Sequence, residues 1–270
     1  MSRYAEVIGD PIAQSKSPLI HRFWLDALGI AGDYRAHKVA PHDLGGYFAQ
    51  RRVDPDWCGC NITLPHKIAA LDHIEDRGDV RASIGAINTV IRDGDALVGT
   101  NTDAGGFAAP IAGLDLAGRH AVVVGAGGAA RAVLFALARL DIARVTVMNR
   151  SPLKAAGLLA HFGLKGDVVP LAAPLPASAA LVVNASALGM AGQPPLDLDL
   201  APLDEEAVVY DIVYAPLETG LLAAARARDL DTIDGLEMLI GQAAAFELFF
   251  GQAPPRDDAS KTELRRRLTS

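Results

Sequence analysis

The segment N-I-T-L-P-H-K at residues 61–67 places two basic side chains next to residue types that begin helices. Thr63 suits a helix cap and Pro65 suits the first turn, which predicts a helix with His66 and Lys67 at its start. A cation at this end opposes the helix dipole, at a cost of about 0.3–1 kcal/mol if the site is exposed. If Lys67 is partly removed from water beside a carboxylate, the two groups could relay a proton as a general acid–base pair. The alternative is an ordinary exposed lysine.

Other polar side chains stand where helices or turns are predicted to begin. Ser15 and Ser17 lie on one side of the extended segment Q-S-K-S-P, where two hydroxyls and free N–H groups would suit a carboxylate. Ser17 is also the predicted N-cap of a helix over 17–28. Asn88 in G-A-I-N-T-V fits a turn as well as a binding site, and Asp103 in N-T-D-A-G-G fits a helix cap as well as a binding site.

A glycine-rich turn follows a Val-rich run in the second half of the chain. The run A-V-V-V at 121–124 leads into G-A-G-G-A-A-R at 125–131, which opens a helical pattern. Gly125, Gly127 and Ala130 match G-x-G-x-x-[G/A], in which a tight turn, a close approach of pyrophosphate and close helix–strand packing need small residues. The free N–H groups of the helix would bind phosphate. This context predicts a dinucleotide site, and the alternative is a purely structural turn.

The end of the next predicted strand indicates which dinucleotide binds. A protein that recognises the ribose 2′-hydroxyl of NAD carries Asp or Glu about 20 residues after the glycine turn. Here Asn149, Arg150 and Ser151 occupy that place, and Lys154 follows one turn later. A guanidinium without an acidic residue suits the 2′-phosphate of NADP, whereas the alternative is that both cations only solvate a surface. Beside a nicotinamide, a lysine–aspartate pair would serve the interconversion of a carbonyl and an alcohol.

The two halves of the chain differ in their patterns of apolar and polar residues. Residues 1–103 mix short strands, predicted at 5–9 and 58–63, with loops rich in Gly, Pro, Asn and Asp. Beyond residue 119, Val-rich runs alternate with helical patterns, which is typical of a parallel sheet covered on both faces. We therefore expect an α/β fold with an N-terminal α/β domain and a Rossmann-like, doubly wound domain. The elements predicted in the second half are strands at 121–124, 145–148, 180–183 and 207–210 and helices at 104–112, 128–140, 152–162, 216–229 and 236–250.

The helix predicted at 236–250 carries an amide beside its apolar stripe. Leu239, Phe246 and Phe250 belong to that stripe, and Gln242 lies next to it. Because a buried amide needs hydrogen-bond partners, Gln242 either satisfies a neighbouring loop or reaches a ligand.

Composition argues against several classes of protein. The chain has 270 residues, half of them hydrophobic, and a formal charge of −7, which argues against nucleic-acid binding. The basic run 265–267 follows Ser260 and Glu263, spaced as a capping box, so it is predicted to lie on a C-terminal helix. Cys58 and Cys60 lack the C-x-x-C spacing of zinc or redox sites and are expected to be reduced thiols on one face of a strand. Without a leader or an 18-residue apolar run, we expect a soluble cytoplasmic protein that binds no metal ion and no membrane.

Taken together, these motifs resemble the shikimate dehydrogenase family. Nine local matches occur in family order, from about residue 8 to 246, and they are far more specific together than any one alone. The matching segments are I-G-D-P-I-A-Q-S-K-S-P, N-I-T-L-P-H-K, G-A-I-N-T-V, N-T-D-A-G-G-F, V-G-A-G-G-A-A-R, N-R-S, N-A-S-A-L-G-M, Y-D-I-V-Y-A-P-L-E-T and D-G-L-E-M-L-I-G-Q-A-A-A-F.

The resemblance implies a reversible, NADP-dependent reduction of 3-dehydroshikimate to shikimate, a step of chorismate and aromatic amino-acid biosynthesis. It implies a substrate domain of residues 1–103 and 235–270 and an NADP-binding domain of residues 104–234. Lys67 and Asp103 would be the catalytic pair. The other implied site residues are Ser15 and Ser17 for the substrate carboxylate; Thr63, Asn88, Asp103 and Gln242 for ring hydroxyls; Tyr214 lining the substrate; and Gly125, Ala126, Gly127, Gly128, Ala129, Asn149, Arg150, Ser151, Lys154, Ile212, Gly235 and Met238 for the cofactor.

The chain departs from the commoner family pattern at a few positions. Gln14 stands where many members have His, Ser151 stands where Thr is frequent, and Glu237 is at a variable position. The choice of shikimate over quinate therefore stays open. A quinate/shikimate dehydrogenase that favours NAD would carry an acidic residue near position 149, and a non-catalytic NADP-binding sensor would lack Lys67 or its partner carboxylate. A reductase for an amino-substituted analogue is a third alternative. We expect a monomer or a homodimer.

Overall fold

A computed structural model describes residues 3–242, 244–255 and 257–269 of the chain. The chain divides into two compact units, the first formed by Met1–Thr102 with Gln242–Ser270 and the second by Asp103–Gly241. The described residues form the helices α1 (Ser17–Leu28), α2 (Leu44–Val53), α3 (Val80–Ser83), α4 (Asp103–Ala108), α5 (Gly128–Ala138), α6 (Pro152–His161), α7 (Gly220–Arg226), α8 (Gly235–Gly241), α9 (Ala244–Phe250) and α10 (Asp258–Thr269). They form the strands β1 (Tyr4–Gly9), β2 (Asp33–Lys38), β3 (Trp57–Ile62), β4 (Thr89–Asp93), β5 (Ala96–Thr100), β6 (His120–Val124), β7 (Arg144–Met148), β8 (Gly166–Val169), β9 (Ala179–Asn184), β10 (Val208–Asp211) and β11 (Asp231–Ile233).

The first unit contains a mixed sheet with the strand order β2-β1-β3-β4-β5. β1 runs parallel to both of its neighbours, whereas β4 is antiparallel to β3 and to β5. The strands predicted at 5–9 and 58–63 correspond to β1 and β3. Cys58 and Cys60 are free thiols on β3. The C-terminal ends of β1 and β3 and the N-terminal end of β4 therefore share one edge of the sheet.

The helix predicted over 17–28 is confirmed as α1, but its N-cap differs by one residue. Lys16 is the N-cap, and Ser17 is the first helical residue. The hydroxyl of Ser15 accepts a hydrogen bond from the N–H of Ser17 at 3.4 Å. On its apolar side α1 buries Trp24, whose ring centroid lies 5.4 Å from that of Phe246 on α9. This packing joins the C-terminal part of the first unit to its N-terminal part.

The helix predicted to begin near Thr63 does not form, so this prediction is wrong. The segment makes turns instead, and a short 3₁₀ helix follows at Ala69–His73. Two of its carbonyl groups bind outside segments: the Leu64 carbonyl accepts from the Asp10 N–H at 3.0 Å and the Lys67 carbonyl accepts from the Ile87 N–H at 2.8 Å. Carbonyls used in this way do not form the regular hydrogen bonds of a helix.

The second unit contains a parallel sheet with the strand order β8-β7-β6-β9-β10-β11. Counted within this unit, the order is 3-2-1-4-5-6, that of the doubly wound dinucleotide-binding fold. Successive residues of β6 enter different clusters: Ala121 and Val123 pack in one, and Val122 and Val124 pack in the other. Because both faces of the sheet are covered, its strands appear in the sequence as continuous apolar runs. The predicted α/β fold class is confirmed.

Three helix predictions need adjustment. The helix predicted over 216–229 is the shorter α7, because the Thr219 hydroxyl caps it by accepting from the Leu222 N–H at 3.3 Å. The helix predicted over 104–112 is α4 followed by a 3₁₀ turn at Ala109–Ile111. The helix predicted over 236–250 is divided into α8 and α9, and Ala243 between them lies outside the described residues.

α8 belongs to the second unit, although the sequence places the return to the substrate domain at residue 235. The reason is close backbone packing of α8 against α4. A Cβ atom at Gly241 would stand 2.8 Å from the Cα atom of Gly106. The first unit resumes at Gln242.

The C-terminal helix α10 contains the basic run 265–267, as predicted. Its cap is Asp257 rather than Ser260, because the Asp257 carboxylate accepts hydrogen bonds from the N–H and from the hydroxyl of Ser260, at 2.8 and 2.7 Å. Glu263 pairs with Arg266 and Arg267, each at 2.8 Å. Among the described residues, the structure contains no helix with the length and apolar character that crossing a membrane requires.

Candidate active site

The polar residues predicted in the first unit gather at one edge of its sheet. Ser15 and Ser17 follow the C-terminal end of β1, and Thr63 and Lys67 follow that of the parallel strand β3. Asn88 directly precedes β4, which is antiparallel and whose first residue is opposite Asn61 of β3. All five side chains therefore belong to the same edge, although they come from three parts of the sequence.

Backbone hydrogen bonds hold these segments against one another. The Thr63 N–H donates to the Ile8 carbonyl at 2.9 Å, and the Lys67 carbonyl accepts from the Ile87 N–H. A Cβ atom at Gly9 would meet the Thr63 methyl group at 2.5 Å, so only glycine permits this approach of the two segments. The backbone of Lys67 is thereby fixed beside the segment that carries Asn88, and its side chain is half-buried.

His66 and Lys67 differ in their surroundings although they are adjacent. His66 is 1% exposed, and its Nε2 atom lies 2.7 Å from the carbonyl oxygen of Val39. Because a carbonyl oxygen can only accept, Nε2 is the donor in this contact. His66 is therefore a structural residue, and Lys67 is the basic group of the segment that remains a catalytic candidate.

Asn88 is almost completely buried and makes side-chain hydrogen bonds to the segment that follows β5. Its Oδ1 accepts from the Thr102 N–H at 2.7 Å, and its Nδ2 donates to the Thr102 hydroxyl at 2.9 Å. Its backbone carbonyl accepts from the Ile62 N–H at 2.7 Å. A simple turn residue would not need these contacts. Asn88 is held at the edge by groups from both neighbouring strands.

In the second unit, the predicted glycine turn follows β6, next to the point where the strand order reverses. Gly125 has φ +110°, and a Cβ atom there would lie 3.0 Å from the carbonyl oxygen of Ala185. Gly127 has open space around its Cβ position and is the N-cap of α5. Ala126 and Ala130 are buried. One glycine therefore permits the turn, and the other leaves room in front of the free N–H groups of α5, whose first residues are Gly128 and Ala129.

The residues after β7 fit the adenosine end of NADP. Arg150, Ser151 and Lys154 are exposed, and Asn149 is half-buried with its Nδ2 atom donating to the Ser151 carbonyl at 3.0 Å. Within the described part of the chain, neither of the two cations has an ion-pair partner, and no acidic side chain follows β7 directly. This edge can receive a phosphate dianion without displacing an internal salt bridge.

Sequence reasoning missed a buried carboxylate at the ends of β9 and β10. Asp211 accepts hydrogen bonds from the Asn184 amide at 2.9 Å, the Thr219 hydroxyl at 2.7 Å and the Val213 N–H at 3.0 Å. Asn184 in turn binds the Ser186 N–H and hydroxyl. Burial raises the pKa of the Asp211 carboxyl to about 6. The network fixes the two loops that follow these strands. In the sequence, the only feature that pointed to this network was an aspartate at the end of a strand.

The remaining predicted residues lie at the same edge of the second unit or where the chain leaves it. Ile212 and Tyr214 follow β10, and Gly235 begins α8 with its Cα next to the Ile212 carbonyl, where a Cβ atom would collide. Met238 is buried in the core of this unit. Gln242 is half-buried, and its carbonyl accepts from the Ala245 N–H at 3.0 Å.

Asp103 is the first residue of α4 and is fully buried in the structure. It begins the second unit, whereas Lys67 belongs to the first. Their pairing stays a prediction. Within the described ranges, no group of His, Cys, Asp and Glu side chains could hold a metal ion.

The strand order of the second unit and the glycine turn at its switch point define the class of dinucleotide-binding α/β proteins. Comparisons with known proteins agree. Sequence profiles of three domains match, described as the shikimate dehydrogenase substrate binding domain at residues 7–90, shikimate / quinate 5-dehydrogenase at 107–182, and the shikimate 5′-dehydrogenase C-terminal domain at 235–261.

Individual relatives extend this similarity over the whole chain. A shikimate dehydrogenase (NADP(+)) of Sphingopyxis alaskensis is 66% identical over 97% of each chain. The structure of shikimate 5-dehydrogenase from Thermus thermophilus in complex with NADP(H) and shikimate has a TM-score of 0.86 and 39% identity over 98% of this chain and 99% of that chain. Quinate dehydrogenase from Corynebacterium glutamicum in complex with NAD has a TM-score of 0.86 and 31% identity over 100% of this chain and 99% of that chain. The chain belongs to the shikimate dehydrogenase family.

Proposed function

We propose that the protein catalyses the reversible, NADP-dependent reduction of 3-dehydroshikimate to shikimate, a step of chorismate and aromatic amino-acid biosynthesis. The protein is an NADP-dependent oxidoreductase of the shikimate dehydrogenase type, since the 66% identical relative carries that name and the Thermus structure holds both ligands. The observation that carries the proposal is the edge of the first sheet. There, the Lys67 carbonyl binds the N–H of Ile87, next to Asn88, and the serines that would bind a carboxylate follow β1, the strand parallel to β3.

Lys67 and Asp103 are the proposed acid–base pair. NADPH, when bound, supplies the hydride that reduces the carbonyl carbon. The Lys67 ammonium donates the proton that the carbonyl oxygen takes up as it becomes a hydroxyl, and in the reverse direction the neutral Lys67 amine removes that proton. The Asp103 carboxylate orients the ammonium and stabilises its charge. Proton transfer by the lysine and orientation by the aspartate require a lysine that is partly removed from water, and Lys67 is half-buried.

The other side chains at this edge recognise the substrate. Ser15 and Ser17 bind the carboxylate with their hydroxyls, and the positive end of the α1 dipole adds to this interaction. The ring hydroxyls bind polar side chains that accept and donate hydrogen bonds, and Tyr214 lines the ring. Those polar side chains are Thr63, Asn88, Asp103 and Gln242.

The second unit holds the cofactor through two different chemistries. The turn of Gly125 and Gly127 and the first N–H groups of α5 bind the pyrophosphate. Arg150 and Lys154 bind the 2′-phosphate, with Asn149 and Ser151 beside them. Ile212, Gly235 and Met238 line the nicotinamide end. The first unit, which includes the C-terminal segment, thus binds the substrate, and the second unit binds NADP.

A quinate dehydrogenase is the second candidate, because the Corynebacterium neighbour is as similar in fold as the Thermus enzyme. Arg150 at the end of β7 favours the NADP-dependent reaction over an NAD-dependent one. We place the protein in the cytoplasm, as a monomer or homodimer, where its two free thiols stay reduced.

Initial-rate kinetics test these proposals in one matrix. Shikimate and quinate are each measured as substrates with NADP and with NAD. We expect the highest kcat/KM for shikimate with NADP. A higher value for quinate would establish the second candidate, and a complete absence of turnover with all four combinations would favour a non-catalytic NADP-binding sensor.

A further inference from the structure

The loop after β9 lies directly against the glycine turn but carries none of the residues proposed to bind NADP. The Ala185 N–H donates to the carbonyl of Val124, the last residue of β6, at 2.9 Å. A Cβ atom at Gly125 would stand 3.2 Å from the Cβ atom of Ser186. Residues 186–188 are half-buried. The loop therefore forms a wall beside the turn that is proposed to bind the pyrophosphate.

The place of this loop in the sheet indicates which part of the cofactor it faces. The strand order reverses between β6 and β9, and dinucleotides bind across such a switch point. The adenosine half is proposed to extend over β7, on one side of β6, where Arg150 follows the strand. The half that carries nicotinamide then extends over β9, on the other side of β6, and reaches the loop at 185–188.

A single buried amide gives this loop its shape. Asn184 is the last residue of β9 and is fully buried, and its Nδ2 atom donates to the Leu188 carbonyl and to the Asp211 carboxylate, both at 2.9 Å. Its Oδ1 atom accepts from the N–H and from the hydroxyl of Ser186, at 3.1 and 2.7 Å. The Ser186 hydroxyl in turn accepts from the Leu188 N–H at 3.1 Å. The loop is thus closed on the Asn184 side chain, whereas the glycine turn is shaped by its own small residues.

The orientation of the Asn184 amide follows from its backbone partners. The N–H of Ser186 can only donate and the carbonyl of Leu188 can only accept, so separate contacts identify the oxygen and the nitrogen of the amide. The second N–H of the amide is directed to Asp211, which is opposite Asn184 in the parallel register of β9 and β10. The Asp211 carboxylate is held in turn by the loop after β10. All four hydrogen bonds that the amide can make are made within the protein, so Asn184 acts on a ligand only through the loop.

We propose that Asn184 is a positioning residue for the nicotinamide half of NADP: its amide, backed by the Asp211 carboxylate, holds the loop at 185–188 in the conformation that forms one wall of the dinucleotide site. The inference rests on the proposed function in one respect, the placement of NADP at the glycine turn. Without the amide, the loop loses the hydrogen bonds that close it, so NADP must order the loop when it binds. The cost falls on the nicotinamide half of the cofactor, because the adenosine half lies on the other side of β6.

Asn184→Ala tests the proposal in equilibrium titrations with two ligands. One ligand is NADP, and the other is adenosine 2′,5′-bisphosphate, which carries the 2′-phosphate but lacks the nicotinamide half. We expect the Kd for NADP to rise about tenfold, because the loop must be ordered on binding, and the Kd for the bisphosphate to change by less than about twofold. Arg150→Ala, at the adenosine end, should instead weaken the binding of both ligands.

Two variants of Asp211 separate positioning from a general loss of structure. Asp211→Asn still offers an acceptor to the Asn184 amide and should keep the Kd for NADP within about twofold of the wild-type value, whereas Asp211→Ala removes the acceptor and should raise that Kd. This pair decides the question if Asn184→Ala does not fold. Thr146→Val is the control, because it removes another buried hydroxyl of the same unit, one that contacts the His120 ring at 2.9 Å, and it should change neither Kd.

A merely structural role for Asn184 would give a different result. The melting temperature and the fraction of protein that binds would fall in Asn184→Ala, while the Kd values of the binding fraction would stay at their wild-type values. That result, or an equal loss of affinity for NADP and for the bisphosphate, would overturn the inference.

Failure of the proposed function is distinguishable from failure of the inference, because the titrations need no turnover. A wild-type protein that binds NADP but does not convert shikimate would refute the proposed reaction, and a selective loss of NADP affinity in Asn184→Ala would still support the positioning role. A wild-type protein that converts shikimate with NADP, together with an Asn184→Ala variant that keeps its affinity for NADP, would refute the positioning role alone.

Discussion

In the second unit, the atoms proposed to bind a ligand are mostly backbone groups, whereas in the first unit they are side chains whose positions depend on contacts with other segments. The Gly125 turn and the start of α5 are shaped by glycine and by small residues within six positions of one another. Lys67 and Asn88 depend instead on Ile87, Thr89 and Thr102, which belong to other segments. A site built from the backbone should tolerate the loss of side chains and fail when an atom is added. A site built from side chains should instead fail when one of those side chains is removed.

The largest effect that this comparison predicts is at Lys67. Lys67→Ala should lower kcat by about 10²- to 10⁴-fold, because the reaction loses its general acid–base group, while KM for shikimate changes little. The measurement is initial-rate kinetics in both directions. Lys261→Ala, which removes an exposed lysine on α10, is the control and should keep wild-type activity. Near-wild-type turnover in Lys67→Ala would remove this lysine from the mechanism.

Addition of a single methyl group tests the backbone site. Gly125→Ala should destabilise the fold by about 1–3 kcal/mol, since alanine at φ +110° is strained and its Cβ lies 3.0 Å from the Ala185 carbonyl oxygen. Gly127→Ala meets no protein atom and should leave the stability almost unchanged, but its methyl group occupies the space in front of α5 and should weaken NADP binding. Urea denaturation and NADP titration separate the two effects. The comparison fails if both variants lose stability equally or if Gly127→Ala binds NADP normally.

The difference between the backbone-built site and the side-chain-built site also explains which parts of the molecule could be predicted from the sequence. The glycine turn, β6, β7 and α5 could be predicted because the sequence patterns that indicate them are local and repeat along the chain. α1 was predicted at its residue boundaries for the same reason, although its cap was assigned one residue too late. Local patterns are sufficient where the backbone itself forms the structure.

Contacts between distant segments were not predictable in this way. The segment after Thr63 has the residue types of a helix start, yet the carbonyls of Leu64 and Lys67 bind the N–H groups of Asp10 and Ile87. Asn61 and Thr89 are polar residues inside strands, and their use appears only once β3 and β4 are paired. The family resemblance assigned roles to Lys67 and Asn88, but it did not reveal what holds them in place.

A smaller effect is expected at the end of β7, where the second unit uses side chains rather than backbone. Arg150→Ala should raise KM for NADP about 10- to 100-fold, the loss of a charge-assisted contact, and should change KM for NAD by less than about twofold. Arg119→Ala removes another exposed guanidinium of the same unit and serves as the control. Equal effects of Arg150→Ala on both cofactors would contradict binding of the 2′-phosphate by this residue.

The smallest expected effect concerns Asp211, a buried side chain of the second unit that accepts hydrogen bonds from the Asn184 amide, the Thr219 hydroxyl and the Val213 N–H. Burial raises the pKa of this carboxyl to about 6, from an ordinary value near 4 in the unfolded chain. The folded state therefore binds the proton more tightly than the unfolded state. The stabilisation that results is fully present below about pH 4 and is lost as the pH rises through about 6.

Asp211→Asn removes this titration and can keep most of the hydrogen bonds, because the amide can accept from Asn184 and Val213 and donate to the Thr219 hydroxyl. Between about pH 5 and about pH 7, the free energy of unfolding of the wild-type protein should fall by about 1 kcal/mol relative to that of the variant. Urea denaturation at several pH values measures the difference. Parallel pH profiles for the two proteins would mean that Asp211 has the same proton affinity in the folded and unfolded states, so that the loops after β9 and β10 are not held by a desolvated carboxylate. In that case the second unit would depend on backbone contacts more completely than the structure indicates, and it would differ more strongly from the first unit.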